Sequence, residues 1–172
     1  LTLTSETSAP IICAKSTEVT IVAAANTENT LTDTENNNAD AGGEEAENAV
    51  IKCKDGSTVT LCGTGTLNVT ANGKNGIKSG ASTESEGDAS LTIRELTLNI
   101  TAPVNDAVNA EAALNVESGT LTIAAGDDAL HCDNTLNIGA ENTAGPSITI
   151  TACYEGLEGA AVNIYSGDVS IV

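Results

Sequence analysis

Six carboxylates in the second half of the chain have the spacing to share a cation: Asp106, Asp127, Asp128, Asp133, Glu155 and Glu158. They fall at equivalent places of a repeated unit. Asn75, Asp106, Asp128 and Glu155 open its successive copies, flanked by Lys74, Asn105, Asp127 and Tyr154. Three positions on come Lys78, Asn109, His131 and Glu158, with Glu111 and Asp133 two further along. Carboxylate and amide oxygens one repeat apart can share a hard cation, and Ca²⁺ accepts six to eight such oxygens. The same residues also suit a corner that water hydrates, since paired Asp is common in turns. His131 is the only histidine. It could act as a general base, but a single His in a polar column also serves as a plain hydrogen-bonding residue. No Ser/His/Asp order, zinc spacing or phosphate-binding glycine loop occurs. Lys74 and Lys78 are the only basic residues in the right columns, and Arg94 is the only arginine. The chain therefore reads as non-catalytic, with polysaccharide lysis the weakest option.

What must position these residues is a set of short strands. One copy of the unit contains Asp106-Ala-Val-Asn109, Leu114-Asn-Val116 and Leu121-Thr-Ile123. The next contains Asp128-Ala-Leu-His131, Leu136-Asn-Ile138 and Ile148-Thr-Ile150, and a third Glu155-Gly-Leu-Glu158, Val162-Asn-Ile164 and Val169-Ser-Ile171. Alternation with period two marks strands with one buried face, and repetition at this period marks a solenoid. The expectation is an all-β, single-domain parallel β-helix over residues 1–172, with about six rungs of three short strands. Surface loops are expected near 32–48, 80–89 and 139–147. Stacking the rungs at roughly 4.8 Å predicts three inward columns. The first is Ile11, Ile51, Ile77, Val108, Leu130 and Leu157; the second Ile21, Leu61, Ile93, Val116, Ile138 and Ile164; the third Val69, Ile100, Ile123, Ile150 and Ile171. Asn115, Asn137 and Asn163 should form an outward amide ladder, bonding along the axis as stacked Asn does in cross-β assemblies.

Composition fits this expectation. Phe, Trp and Met are absent, and Tyr154 and Tyr165 are the only aromatic residues. A narrow stack of small aliphatic side chains needs nothing larger. The net charge of −18, from 24 acidic and 6 basic residues, excludes ordinary nucleic-acid binding, which depends on Lys and Arg displacing counterions. It also opposes anionic membranes, and no apolar run is long enough to insert into one. Cys13 and Cys53 lie forty positions apart in aligned strands, and the rung spacing brings them within disulfide reach. Small apolar filling is the other role open to them.

The rungs Gly126 to Ile138 and Tyr154 to Ile164, together with Glu28-Asn-Thr-Leu-Thr-Asp33 and the acidic stretch after it, resemble a bacterial family. These are the secreted carbohydrate-binding-domain proteins with a polysaccharide-lyase-like right-handed β-helix, found in clostridia and relatives. The resemblance covers nearly the whole chain and rests on a repeated corner, Asp-Asp-Gly-Ile-His/Lys. It implies a right-handed coil, Ca²⁺ at the corners and affinity for plant-type or acidic polysaccharide. The matching positions are Asn75-Gly-Ile-Lys78, Asp106-Ala-Val-Asn109, Asp127-Asp-Ala-Leu-His131 and Glu155-Gly-Leu-Glu158; Ala107 and Ala129 stand where the family has Gly.

Two functions follow. A β-helix exposes raw strand edges at its ends unless something covers them. The chain begins on a strand, Leu1-Thr-Leu3, ends on another, Val169-Ser-Ile171, and shows no capping segment. Leu1, Leu3, Val169 and Ile171 are therefore candidate end-stacking residues, and a head-to-tail contact without closure gives a filament. The leading expectation is an extracellular, Ca²⁺-stabilised filament subunit, already freed of any signal peptide. The alternative is a Ca²⁺-dependent carbohydrate-binding module for acidic or plant-type polysaccharide.

Overall fold

A computed structural model describes residues 1–38, 47–81 and 88–172. Among these residues the protein is all-β, built from parallel strands. β1 (Thr2–Thr4) leads into β2 (Ile11–Cys13), β3 (Glu18–Val22) and β4 (Glu28–Thr32). The next pass holds β5 (Ala49–Cys53), β6 (Thr58–Cys62) and β7 (Thr66–Thr70), and the third β8 (Asn75–Ser79), β9 (Ser90–Ile93) and β10 (Thr97–Ala102). Then come β11 (Val108–Ala110), β12 (Ala113–Val116) and β13 (Thr120–Ala125), followed by β14 (Leu130–Ile138) with β15 (Ser147–Ala152), and β16 (Leu157–Ile164) with β17 (Asp168–Ile171).

Each strand pairs with its counterpart on the next pass. One sheet has the order β1-β4-β7-β10-β13-β15-β17. The other runs β2-β5-β8-β11-β14-β12-β9-β6-β3, with β16 also on β14. The second sheet is two columns of strands joined through β14. Two short strands were expected there, and likewise in the last pass. Instead β14 and β16 each run unbroken from the first side to the second. The stretch bends by a register shift between Cys132 and Thr135 against β16, an extra-residue irregularity of the kind that turns a strand without ending it.

The three apolar columns stack in the register expected. Ile51 lies between Ile11 and Ile77, Ile93 between Leu61 and Val116, and Ile100 between Val69 and Ile123. In-register pairing satisfies backbone groups along the stack while identical side chains fill the space between sheets. The core is correspondingly narrow: Leu61, Ile77, Leu98, Leu114 and Ile123 are fully buried.

The first expected loop departs in its opening residues. Asp33 and Asn37 are fully buried, so 33–38 is not a free surface loop. The Asp33 carboxylate accepts hydrogen bonds from the N–H groups of Asn72 (2.6 Å) and Gly73 (3.2 Å) one pass later and from Asn37 Nδ2 (2.8 Å). The rest of the first expected loop, 39–46, and most of the second, 82–87, lie outside the described residues. The third is present and leaves the stack after Gly139, whose φ of 71° is left-handed. A Cβ there would stand 2.4 Å from the Ser166 carbonyl, so only glycine makes the exit.

At the two ends, Leu1 is 68% and Ile171 56% exposed, while Leu3 and Val169 are half-buried. β1 pairs with β4 and β17 with β15, and no described strand covers their outer edges.

Candidate functional site

The corners before β8, β11, β14 and β16 continue the ladder and so stack their polar residues. Gly76 N–H donates to Asp106 O, Ala107 N–H to Asp128 O and Ala129 N–H to Glu155 O, each at 2.9 Å. On the adjoining strand Lys78, Asn109, His131 and Glu158 are register partners in turn. This places His131 among four carboxylates. Its Nδ1 lies 3.3 Å from Asp128, 3.5 Å from Glu158 and 3.7 Å from Asp106, and its Nε2 lies 3.1 Å from Asp133.

The carboxylates set the protonation of this ring. The Asp106 and Asp133 carboxylates beside the ring raise the His131 pKa to about 10 against the opposing effect of burial. His131 is therefore an imidazolium at neutral pH, a built-in cation and not the general base considered above. Burial pushes the Asp106 carboxyl up, but the nearby His131 ring and hydrogen bonds from Asn109 and the Asp128 N–H outweigh it and hold Asp106 below its usual range. Asp133 is lowered by His131. The outer acids move the other way: Asp127 is raised by desolvation and then by Asp128 and Asp106. Glu158 is raised above all by its contact with Asp128, and Glu155 by desolvation and then by Asp128.

Geometry divides the six acids expected as ligands. Asp127, Asp128 and Glu155 bring carboxylate oxygens within 4.8 Å of one another, and Asp106, Asp128 and His131 form a second such group. Asp128 belongs to both. Asp133 and Glu158 meet His131 from the sides. Asp128 is only 5% exposed, and its Oδ1 has no hydrogen-bond partner among the described residues. A buried carboxylate oxygen left unpaired is costly, and a cation held by the outer group would satisfy it. The donors of the outer group are all oxygen, which suits a hard ion such as Ca²⁺.

The hydrated-corner expectation is corrected on the inner part of this column. Asn75, Lys78, Asp106 and Asn109 are buried; the last three bond to one another, and Asn75 bonds to Asn105. Lys78 Nζ donates to Asn109 Oδ1 at 2.6 Å, Asn109 Nδ2 donates to Asp106 Oδ2, and Asn105 Nδ2 donates to Asn75 Oδ1 at 2.6 Å. Burial lowers the Lys78 pKa. Period-two alternation told only that these side chains point away from the apolar core. Glu47 accepts from Asn75 Nδ2 (3.1 Å) and pairs with Lys74 (3.3 Å), and no local pattern signals that contact.

Two further expectations have a place. The amide ladder is present on the second side: Asn137 Nδ2 donates to Asn115 Oδ1 and Asn163 Nδ2 to Asn137 Oδ1, both at 2.9 Å. Cys13 and Cys53 are register partners and both are free thiols. The hydrogen bond between them lowers the Cys13 pKa, and raises that of Cys53 well above the usual thiol value.

A family model described as "Carbohydrate-binding domain-containing protein" matches residues 1–172. Comparison with the curated proteins and with the solved structures gives no match.

Proposed function

The chain belongs to the family of carbohydrate-binding domain-containing proteins, and from that premise we propose that it is a non-catalytic, extracellular glycan-binding module with Ca²⁺ in its acidic corner column. We read the coil as a right-handed parallel β-helix of the polysaccharide-lyase type, since connections between parallel strands of one sheet are overwhelmingly right-handed. Family membership supports the carbohydrate ligand. The observation that carries the calcium is the unpartnered Oδ1 of Asp128, buried where two carboxylate groups converge. A divalent ion held by Asp128 with Asp127 and Glu155 would neutralise the outer acids and keep an open side toward solvent, where Asp127 and Glu155 are exposed. Carboxylates of an acidic polysaccharide could complete its shell. The test is a pull-down on insoluble polygalacturonate, with Ca²⁺ and with chelator. Retention only with Ca²⁺, lost in Asp128→Asn, supports the reading; equal retention in chelator, or none in either, opposes it.

A second reading is favoured by apolar residues exposed on the outermost described strands. Leu1, Val162, Ile164, Ile171 and Val172 are exposed apolar residues there, and an apolar hollow of about 70 Å³ opens between Leu1, Ile11, Ile21 and Leu31. A second copy stacked head-to-tail would cover these edges and build a filament. Sedimentation that finds monomers alone at high concentration with Ca²⁺ sets this reading aside.

A further inference from the structure

The amide ladder borders a groove that the acidic column does not touch. Asn115, Asn137, Glu117, Glu141 and Tyr165 line it, with Gly139 and Ala140 at its edge, and it encloses about 390 Å³, the size of a small-ligand cleft. We propose that this groove is a binding subsite for neutral hexopyranosyl glycans, an inference that rests on the carbohydrate-binding reading but not on its calcium.

The first argument is hydrogen-bonding capacity. A carboxamide has two N–H donors and two acceptor lone pairs. Asn137 uses one of each within the ladder, which leaves one donor and one acceptor facing out. Asn115 accepts from Asn137 and spends neither N–H on another side chain among the described residues. The row thus offers paired donors and acceptors at strand spacing, roughly 4.8 Å. Adjacent sugar hydroxyls, each a donor and an acceptor, are complementary to such a row. Glu117 and Glu141 are exposed and add strong acceptors for hydroxyl protons.

The second argument is the ring. Tyr165 is 52% exposed and is one of two aromatic residues in the chain. Its face is the flat apolar surface against which the C–H face of a pyranose packs. The third is that the wall is built, not loose. Ala140 N–H donates to Ser166 Oγ (3.2 Å), Ser166 Oγ donates to Ala140 O (3.0 Å), and Thr143 Oγ1 meets Ser166 Oγ at 3.1 Å. Ser166 thereby ties the loop after Gly139 to the turn that carries Tyr165.

Charge selects the class. Among the described residues the groove has two carboxylates, no lysine and no arginine, in a chain of net charge −18. Uronate and sulfated chains would meet repulsion without a counterion, and unpaired like charge is a common means of rejecting a wrong ligand. Neutral sugars carry no such penalty.

The experiment titrates the full chain, in chelator, with cellohexaose, mannohexaose and maltohexaose while recording side-chain amide resonances. At least one neutral hexasaccharide should bind and shift the Asn115 and Asn137 amides. Tyr165→Ala should weaken that binding about five- to tenfold, as loss of an aromatic contact does, and Glu141→Ala should weaken it too; both positions are exposed, and circular dichroism confirms that the variants fold. No binding by any of the three, binding that Tyr165→Ala leaves unchanged, or shifts confined to other residues overturns the groove. The polygalacturonate pull-down separates the two failures. Ca²⁺-dependent retention with blank neutral titrations removes the groove alone, whereas groove binding without that retention removes the calcium reading alone.

Discussion

Replacing Asp128 by Asn should change stability in opposite directions with and without calcium. Without the ion, the Asp128 carboxylate is buried, its Oδ1 is unpartnered, and it raises the pKa of Asp127, Glu155 and Glu158. An unsatisfied buried polar atom costs about 1–3 kcal/mol, and an amide removes the charge at nearly constant shape. The loss on the other side is the pairing with His131 at 3.3 Å. His131 keeps Asp133, Glu158 and Asp106 within 3.7 Å, so most of its attraction survives. The expected net is a gain of about 1 kcal/mol in chelator, or about 2–4 °C in Tm for a chain of this length. With Ca²⁺ at about a hundred times its Kd, the wild type should gain about 2.7 kcal/mol by mass action. The variant lacks the carboxylate common to both groups and should gain almost none. The order then reverses, with the variant about 1.7 kcal/mol less stable. Thermal unfolding in chelator and in Ca²⁺, followed by circular dichroism, reads both numbers. A variant that is less stable in both conditions and still responds to Ca²⁺ would refute the argument that Asp128 is held for an ion.

Three other outcomes are expected. The His131 pKa of about 10 lies above its ordinary 6.5, so the folded state holds the proton more tightly. The stability this contributes is complete below about 6.5 and is lost as pH rises toward 10; in chelator, the stability difference between wild type and His131→Gln should shrink over that window, and a constant difference would contradict it. Leu98 is fully buried and stacked between Leu67 and Leu121, so Leu98→Ala should cost about 3 kcal/mol in urea unfolding, whereas Ile171→Ala, at a site 56% exposed, should cost under about 1 kcal/mol. Comparable costs would mean that the exposed end is covered in solution. Mild oxidation should join Cys13 to Cys53, register partners across one pass, with a gain of about 4 kcal/mol from closing a loop of that length, read by non-reducing peptide mapping and urea titration.

Much of the strand framework was legible because parallel in-register stacking places like residue on like. A column such as Ile51, Ile77 and Val108 can be read by aligning repeats, with no knowledge of distant contacts. The amide ladder was legible for the same reason. The corners aligned equally well, yet their environment did not. Asp106 and Asn109 repeat like hydrated turn residues, but their burial depends on Lys78 one pass below and His131 one pass above. Asp33 is harder still, since what makes it structural is a pair of N–H groups about forty positions later. The groove escaped notice because its wall is a loop held by one serine, Ser166, whose role no pattern in the strands encodes.

The two polar faces of the coil follow one rule and reach different chemistry. On any outward column, residues one pass apart stand roughly 4.8 Å from each other, close enough to interact and too close to ignore charge. Amides resolve that proximity among themselves: Asn137 donates to Asn115 and Asn163 to Asn137, and the ladder on the second side forms without a ligand while keeping spare donors and acceptors. Ionised carboxylates cannot, since they are acceptors only. The first side therefore inserts Lys78, Asn109 and His131 between its acids, and beyond them, at Asp127, Asp128 and Glu155, the proposed cation would offset the remaining charge. On that proposal an amide column stays available to neutral hydroxyl-rich ligands, while the acid column takes an ion first. If the two faces are both sugar-binding, chelator should abolish one and spare the other, and a chain in which both respond alike to calcium would break the link between column chemistry and ligand.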